Sequence, residues 1–151
     1  VNYSSIQMYK IMQQGPPAHF IFKNLLRSAT TTRKKFFQMM LNDRVNSRNL
    51  LQRKHFYLPS YNCVLCTLHT KETSLHLFWD RPFSLHCWNE IMPTRRRGVS
   101  SFDEICLAIS ILPKDLALDI IIIGCWSLWF VQNDKVFKEA VAHPLCWKFH
   151  M

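Results

Sequence analysis

The chain has 151 residues, enough for one modest domain, and its 48% hydrophobic and 13% aromatic content excludes an intrinsically disordered polypeptide. Its 19 Lys and Arg against 10 Asp and Glu give a net charge of +9, which makes nucleic acid the natural class of partner, although a merely soluble basic domain is the alternative. Only three glycines occur, and they form no glycine-rich phosphate-binding loop.

The first part of the chain predicts three short helices. One runs up to Met12 and ends in residues 13–17, where a glycine and two prolines interrupt the helical hydrogen-bond ladder. Residues 20–26 form the second. The third is capped by the small residues 29–32 and runs to about Leu41.

Capping residues predict three further helix starts. Ser47 is the candidate N-cap of a short helix that carries Leu50. Thr73 is the candidate N-cap of a helical turn that presents His76 inward. Pro82 suits the first position of the next helix. In that helix one face carries Phe83, Cys87 and Glu90, and the face predicted to meet the core carries Leu85, Trp88 and Ile91 or Met92.

The C-terminal half predicts two more helices after a basic linker over residues 93–101. Residues 102–112 form the first, and Pro113 breaks it. Residues 114–137 form a long helix that is apolar through its middle. Because its apolar run, residues 120–131, is shorter than the roughly 20 residues of a bilayer-spanning helix, we interpret it as a buried core helix.

The most specific chemical signal is a set of metal-ligand residues. Cys63 and Cys66 have the two-residue spacing that lets a tight turn direct both sulfurs at one tetrahedral metal, and His76 follows. A fourth Cys or His is expected four or five residues later, but Arg81 stands there and cannot coordinate a cation. The sequence therefore predicts a Zn²⁺ site that lacks its fourth ligand. Candidate substitutes, each geometrically poorer than a Cys, are Asp80, His69, His86 and Cys87.

Two outcomes for this site stay open. Zinc still binds with a substitute ligand or water in the fourth position, or binding is weak or absent because the structural site has decayed. A catalytic zinc also has three protein ligands and an open position, but no motif places a general base here.

These residues resemble the zinc-binding domain found downstream of reverse transcriptase in plant non-LTR (LINE-type) retrotransposons. The family's last Cys is replaced by Arg81, and the flanking residues that carry the resemblance are Glu72, Thr73, Leu77, Phe78, Pro82, Phe83 and Trp88. Similar segments lie upstream at residues 22–23, 35–37 and 43–51 and downstream at residues 126–129 and 133–137. The resemblance implies a non-catalytic role beside the polymerase, in which the domain holds template RNA or target DNA.

We predict a mainly α fold, a small helical domain around a Cys-x-x-Cys…His zinc-knuckle-like loop, with a long apolar helix at the C-terminal end. Four segments are expected: an N-terminal helix and linker over residues 1–19, the reverse-transcriptase-type zinc-binding domain over residues 20–92, the linker over residues 93–101, and a helical segment over residues 102–151. The start at Val1 suggests a fragment of a longer reading frame, and Arg81 in place of a ligand favours the alternative of a degenerate copy.

Basic residues in three clusters are the candidate phosphate contacts, by analogy with the family's role. They are Arg33, Lys34, Lys35, Arg48, Arg53, Lys54, Arg95, Arg96 and Arg97. Solvated helix ends and an ordinary loop explain the first and last clusters equally well. The nearby aromatic residues either stack on bases or pack under the metal loop; they are His55, Phe56, Tyr57 and Tyr61.

The expected partners are RNA or DNA and, by resemblance, the reverse transcriptase domain of the same polyprotein, with no membrane and no small-molecule substrate. An enzyme is not expected, because the chain has no Asp-Asp pair for a polymerase metal site and no His-x-Glu before the Cys pair. The alternative is a protein-interaction module in which the helix over residues 114–137 docks on a partner and the charge is incidental.

Six cysteines indicate a reducing compartment. The last four are scattered through apolar or aromatic segments, which is typical of reduced core thiols rather than a disulfide framework, and no signal peptide opens the chain. We therefore expect a nuclear or cytoplasmic protein that is not secreted.

Overall fold

Helices dominate the described part of the chain, which in this computed structural model comprises Ile21 and residues 33–151. They are α1 (Lys34–Leu41), α2 (Arg48–Arg53), a π-helical turn (His76–Asp80), α3 (Pro82–Ile91), α4 (Ser101–Ile111), α5 (Ala117–Lys138) and α6 (Pro144–His150). The described residues contain no named strand, only one isolated antiparallel bridge between Asn62 and Lys71. The predicted mainly α class is confirmed.

The side-chain caps predicted at Ser47 and Thr73 are present, whereas the N-cap of α1 is Arg33, which makes no side-chain cap, and not one of residues 29–32 as predicted. The Ser47 hydroxyl accepts a hydrogen bond from the Leu50 N–H at 3.3 Å at the start of α2. The Thr73 hydroxyl accepts one from the His76 N–H at 3.1 Å, and Pro82 is the first residue of α3. The helices predicted up to Met12 and over residues 20–26, apart from Ile21, lie outside the described residues.

Helix α5 forms the centre of the packing. It contacts α1, α4, α6 and the π-helical turn, and α3 lies against that turn and α6. Three buried indoles join these elements: Trp79 stacks on Trp88 with ring centroids 4.9 Å apart, and Trp88 and Trp147 make an edge-to-face contact with centroids 5.9 Å apart. Trp88 donates to the Phe78 carbonyl at 2.7 Å and Trp147 to the Gly124 carbonyl at 3.0 Å, whereas the buried Trp79 N–H has no hydrogen-bond partner among the described residues.

Two sequence predictions need correction here. Trp88 and Met92 are buried as expected, but so is Cys87, because α3 is covered by both the π-helical turn and α6. Helix α5 is long, yet it is not the apolar helix that was predicted. Buried Ser127 and Gln132 interrupt its apolar surface, and its last turns are polar and partly charged.

One hydrophobic core draws residues from both larger predicted segments. Phe36 and Phe78, from the segment over residues 20–92, share this core with Ile121, Leu128 and Trp147 from the segment over residues 102–151. The boundaries themselves stay a prediction. No helix in the described region has the combination of length and hydropathy that a membrane crossing requires.

Replacing Gly124 by alanine is expected to destabilise the domain, although the same change in an ordinary helix interior stabilises by about 1 kcal/mol. A Cβ at this position would lie 2.9 Å from Cζ3 of Trp88 and closer still to Cη2, so the indole must move off its stack with Trp79. Overpacking of this kind typically costs about 1–3 kcal/mol, which urea unfolding would measure. A stabilised variant would show that the indole shifts freely.

Candidate metal centre

A narrow loop over residues 61–72, called here the metal loop, presents the two cysteines. The Cys63 N–H donates to the Thr70 carbonyl at 2.9 Å, and the bridge between Asn62 and Lys71 closes the loop below it. The π-helical turn supplies His76 from the other side, and the Thr73 hydroxyl accepts a hydrogen bond from the His76 N–H. The described structure thus brings together the three residues whose spacing predicted a site.

The ligand atoms of Cys63, Cys66 and His76, called here the metal cluster, all lie within 4.8 Å of one another. The Cys66 Sγ is 3.4 Å from the His76 Nε2. Two thiolates bound to one tetrahedral zinc at about 2.3 Å would be about 3.8 Å apart, so a small contraction would allow all three atoms to reach one ion. The donor set of two sulfurs and one imidazole suits zinc.

Burial shifts the pKa values of two members of the metal cluster, Cys63 and His76, in opposite directions. It raises the pKa of the Cys63 thiol, while the positive charge of Arg81 acts to lower it. Burial lowers the pKa of the His76 imidazole, and Arg81 lowers it further. His76 is therefore in its neutral, ligating form at neutral pH, whereas Cys63 must release a proton when a metal binds.

The fourth ligand position is occupied by a buried cation. Arg81, the residue between the π-helical turn and α3, is 0% exposed. Its Nε donates to the Ser84 hydroxyl at 2.9 Å and one terminal nitrogen donates to the Gln132 side-chain oxygen at 2.6 Å. Burial lowers the pKa of this guanidinium, and the neighbouring Cys63 acts to raise it. The residues present therefore fit three of the four positions of a closed zinc site.

None of the substitute ligands considered from the sequence joins the metal cluster, as judged within the described residues. His69 is exposed, and His86 is exposed and paired with Glu90 at 3.5 Å. Cys87 is buried in the core, where burial raises the pKa of its thiol to about 12. Asp80 is half-buried at the end of the π-helical turn.

Two predicted phosphate contacts have structural partners instead. The Arg48 guanidinium donates to the carbonyls of Ser60 at 3.0 Å and Asn62 at 3.3 Å, which braces the metal loop. The Arg95 side chain is 1% exposed and forms an ion pair with the buried Glu104. The expectation that Arg95 lies in an exposed linker is therefore wrong, because its charge is neutralised inside the domain.

The other predicted cations lie nearer the surface. Lys35, Arg53, Lys54, Arg96 and Arg97 are exposed, and Arg33 and Lys34 are half-buried. Arg53 forms an exposed ion pair with Asp43, and the Lys54 Nζ is 3.4 Å from the Asn46 side-chain oxygen. These residues stay candidates for phosphate contact.

Sequence reasoning missed the acceptors that organise the site. The Glu72 carboxylate accepts hydrogen bonds from the Arg48 N–H at 3.1 Å and from the Gln132 amide at 2.7 Å. In the sequence, Glu72 contributes only to the family resemblance. The available signal for Gln132 was a polar residue near the end of an otherwise apolar run.

Comparison with known proteins gives one match. No curated protein and no solved structure matches the chain significantly. The profile of the family described as zinc-binding in reverse transcriptase matches residues 3–88, which is more than half of the chain and includes the whole metal cluster. The chain therefore belongs to the family of zinc-binding domains of reverse transcriptases.

Proposed function

We propose that this chain is a non-catalytic accessory domain from the polyprotein of a plant non-LTR (LINE-type) retrotransposon, and that it binds single-stranded RNA or DNA beside the polymerase. The family match and the net charge of +9 support this proposal. The expected partners are the nucleic acid and the reverse transcriptase domain of the same polyprotein. The six cysteines are free thiols, as suits the nucleus or cytosol.

The observation that carries the proposal is an aromatic and basic surface at the end of α2, residues 53–57, called here the 53–57 surface. Tyr57 is 89% exposed and Phe56 is 59% exposed, and one residue, His55, separates them from the exposed Arg53 and Lys54. Aromatic rings beside cations are the elements with which proteins bind single strands, since rings stack on bases and cations contact phosphates.

This surface has a defined backbone. His55 has a φ of 62°, so the chain leaves α2 through a left-handed residue. The Tyr61 hydroxyl donates to the Phe56 carbonyl at 2.9 Å and accepts from the Leu58 N–H at 3.4 Å. Tyr61 therefore braces the segment from below, while Phe56 and Tyr57 stay exposed.

The alternative, docking of the helix over residues 114–137 on a protein partner, has less support. Most of α5 is committed to the domain's own core, including Ile121, Cys125 and Leu128. Its exposed apolar side chains, Phe130, Val136 and Phe137, lie in its second half. We therefore do not propose α5 as a docking helix.

Filter binding to single-stranded RNA and DNA at rising salt tests the proposal. We expect binding at low salt that weakens steeply as salt increases, because each phosphate contact releases a counterion. Tyr57→Ala is expected to cost about 1–3 kcal/mol of binding free energy, the usual contribution of one stacked base.

Phe149→Ala is the matched control, since Phe149 is 88% exposed on α6 and should leave binding unchanged. Absence of binding at low salt, or an affinity that salt does not change, would overturn the proposed function. Binding that both alanine variants reduce equally would exclude the 53–57 surface as its site.

A further inference from the structure

Arg81 and its hydrogen-bonded neighbours form a continuous polar network within the core. The Arg81 guanidinium contacts Ser84 and Gln132, and Gln132 in turn donates from its amide to the Glu72 carboxylate at 2.7 Å. The Ser84 hydroxyl donates a hydrogen bond to the Leu77 carbonyl at 2.6 Å. We call Arg81, Ser84, Gln132 and Glu72 the Arg81 network.

We propose that the Arg81 network replaces the fourth metal ligand as the tie that holds the metal loop to the helices, so that this domain stays folded without zinc and zinc binds only weakly to the metal cluster.

The position of the Arg81 network supports its role as the tie between the metal loop and the helices. A fourth ligand at residue 81 would join the start of α3 to the metal loop through the ion. In this chain the same two parts are joined through α5: Gln132 accepts from Arg81 and donates to Glu72, at the end of the metal loop. Arg81, Glu72 and Gln132 are all at most 2% exposed, so these hydrogen bonds form away from water, where they are strongest.

The metal loop also has supports that do not involve an ion. Arg48 donates to two of its carbonyls, and the Cys63 N–H is bonded to the Thr70 carbonyl. Behind the loop lies a core that contains three buried tryptophans, Trp79, Trp88 and Trp147. Zinc-dependent folding is typical of domains whose hydrophobic core is too small to be stable alone, and this domain does not have that deficiency.

The positive charge of Arg81 supports the proposal that zinc binds only weakly to the metal cluster. Arg81 is close enough to Cys63 and His76 to influence both electrostatically. A divalent ion bound by these ligands would therefore lie near a buried positive charge that is held in place by Ser84 and Gln132. With one ligand fewer and a cation nearby, binding is expected to be much weaker than in a closed four-ligand site.

Thermal unfolding of the full chain, in a reducing buffer with either EDTA or excess Zn²⁺, tests the proposal together with direct zinc titration. For the unaltered chain we expect midpoints in the two buffers that differ by less than about 4 °C. Arg81→Cys should raise zinc affinity by roughly 100-fold or more, since loss of even an outer partner of a metal ligand costs 10–100-fold. Its midpoint in EDTA should fall below that of the unaltered chain, and Zn²⁺ should restore it.

A second variant keeps the test decisive if Arg81→Cys does not fold. Gln132→Ala leaves every metal ligand in place but breaks the network, so its midpoint should fall in both buffers without recovery by Zn²⁺. Gln38→Ala is the matched control, because Gln38 is exposed on α1 and its side chain lies outside the network.

Three results would overturn the proposal: unfolding of the unaltered chain by EDTA, no gain in zinc affinity for a folded Arg81→Cys, or equal midpoints for Gln132→Ala and Gln38→Ala. None of these measurements involves nucleic acid, so a result that overturns this proposal can be distinguished from one that overturns the proposed function.

Discussion

The variant Glu104→Ala is expected to lose about 3–5 kcal/mol of unfolding free energy, the usual cost of removing one partner of a buried ion pair. Glu104 is 0% exposed on α4; it pairs with the buried Arg95 and accepts a hydrogen bond from the Gly98 N–H at 2.9 Å. Without the carboxylate, the Arg95 guanidinium would stay buried over the Trp79 ring, 5.9 Å from its centroid, with no counter-charge. Urea unfolding measures the loss.

Glu90→Ala is the control for this variant. Glu90 makes the same kind of contact on the surface, where its carboxylate pairs with Lys148 at 2.8 Å and His86 at 3.5 Å. Because exposed pairs contribute little, this variant should unfold almost like the unaltered chain. Similar losses for the two glutamates would mean that the pair of Arg95 and Glu104 is hydrated in solution.

Weaker zinc binding is the expected result of Cys66→Ser. The change removes one ligand, and it is best measured in the Arg81→Cys background, where it leaves three of four ligands and zinc affinity should fall to about that of the unaltered chain. Cys66 is half-exposed, so the serine should leave stability in EDTA nearly unchanged. Isothermal titration with Zn²⁺ gives the affinity of each variant.

Cys106→Ser, a change at an exposed thiol of α4 outside the metal cluster, should leave zinc binding intact. Zinc binding by Cys66→Ser with undiminished affinity would remove Cys66 from the ligand set.

Features fixed by neighbouring residues could be predicted from the sequence. The cap at Ser47, the cap at Thr73 and the helix start at Pro82 each depend on contacts within about one helical turn. The same holds for Cys63 and Cys66, whose spacing by itself brings two sulfurs to one side of a turn. The placement of His76 beside them also followed, because the Thr73 cap fixes where its turn begins.

Features that depend on distant partners could not be predicted. The contact between Glu72 and Gln132 joins residues 60 positions apart, and nothing local to either one indicates the other. Arg95 belongs to a run of three arginines typical of a solvated loop, and only the approach of Glu104 buries it. Arg48 similarly looks like a surface cation until the metal loop supplies carbonyls for it.

The indole stack has an evolutionary consequence. Trp88 is the last residue of the family match, yet it stacks on Trp79 and makes an edge-to-face contact with Trp147, far beyond the matched region. A gene segment that ended at the last matched codon would encode Trp88 without α5 and α6, and therefore without its packing partner Trp147. Recombination that moves this domain intact must therefore carry about sixty further codons, so the heritable module is longer than its recognisable signature.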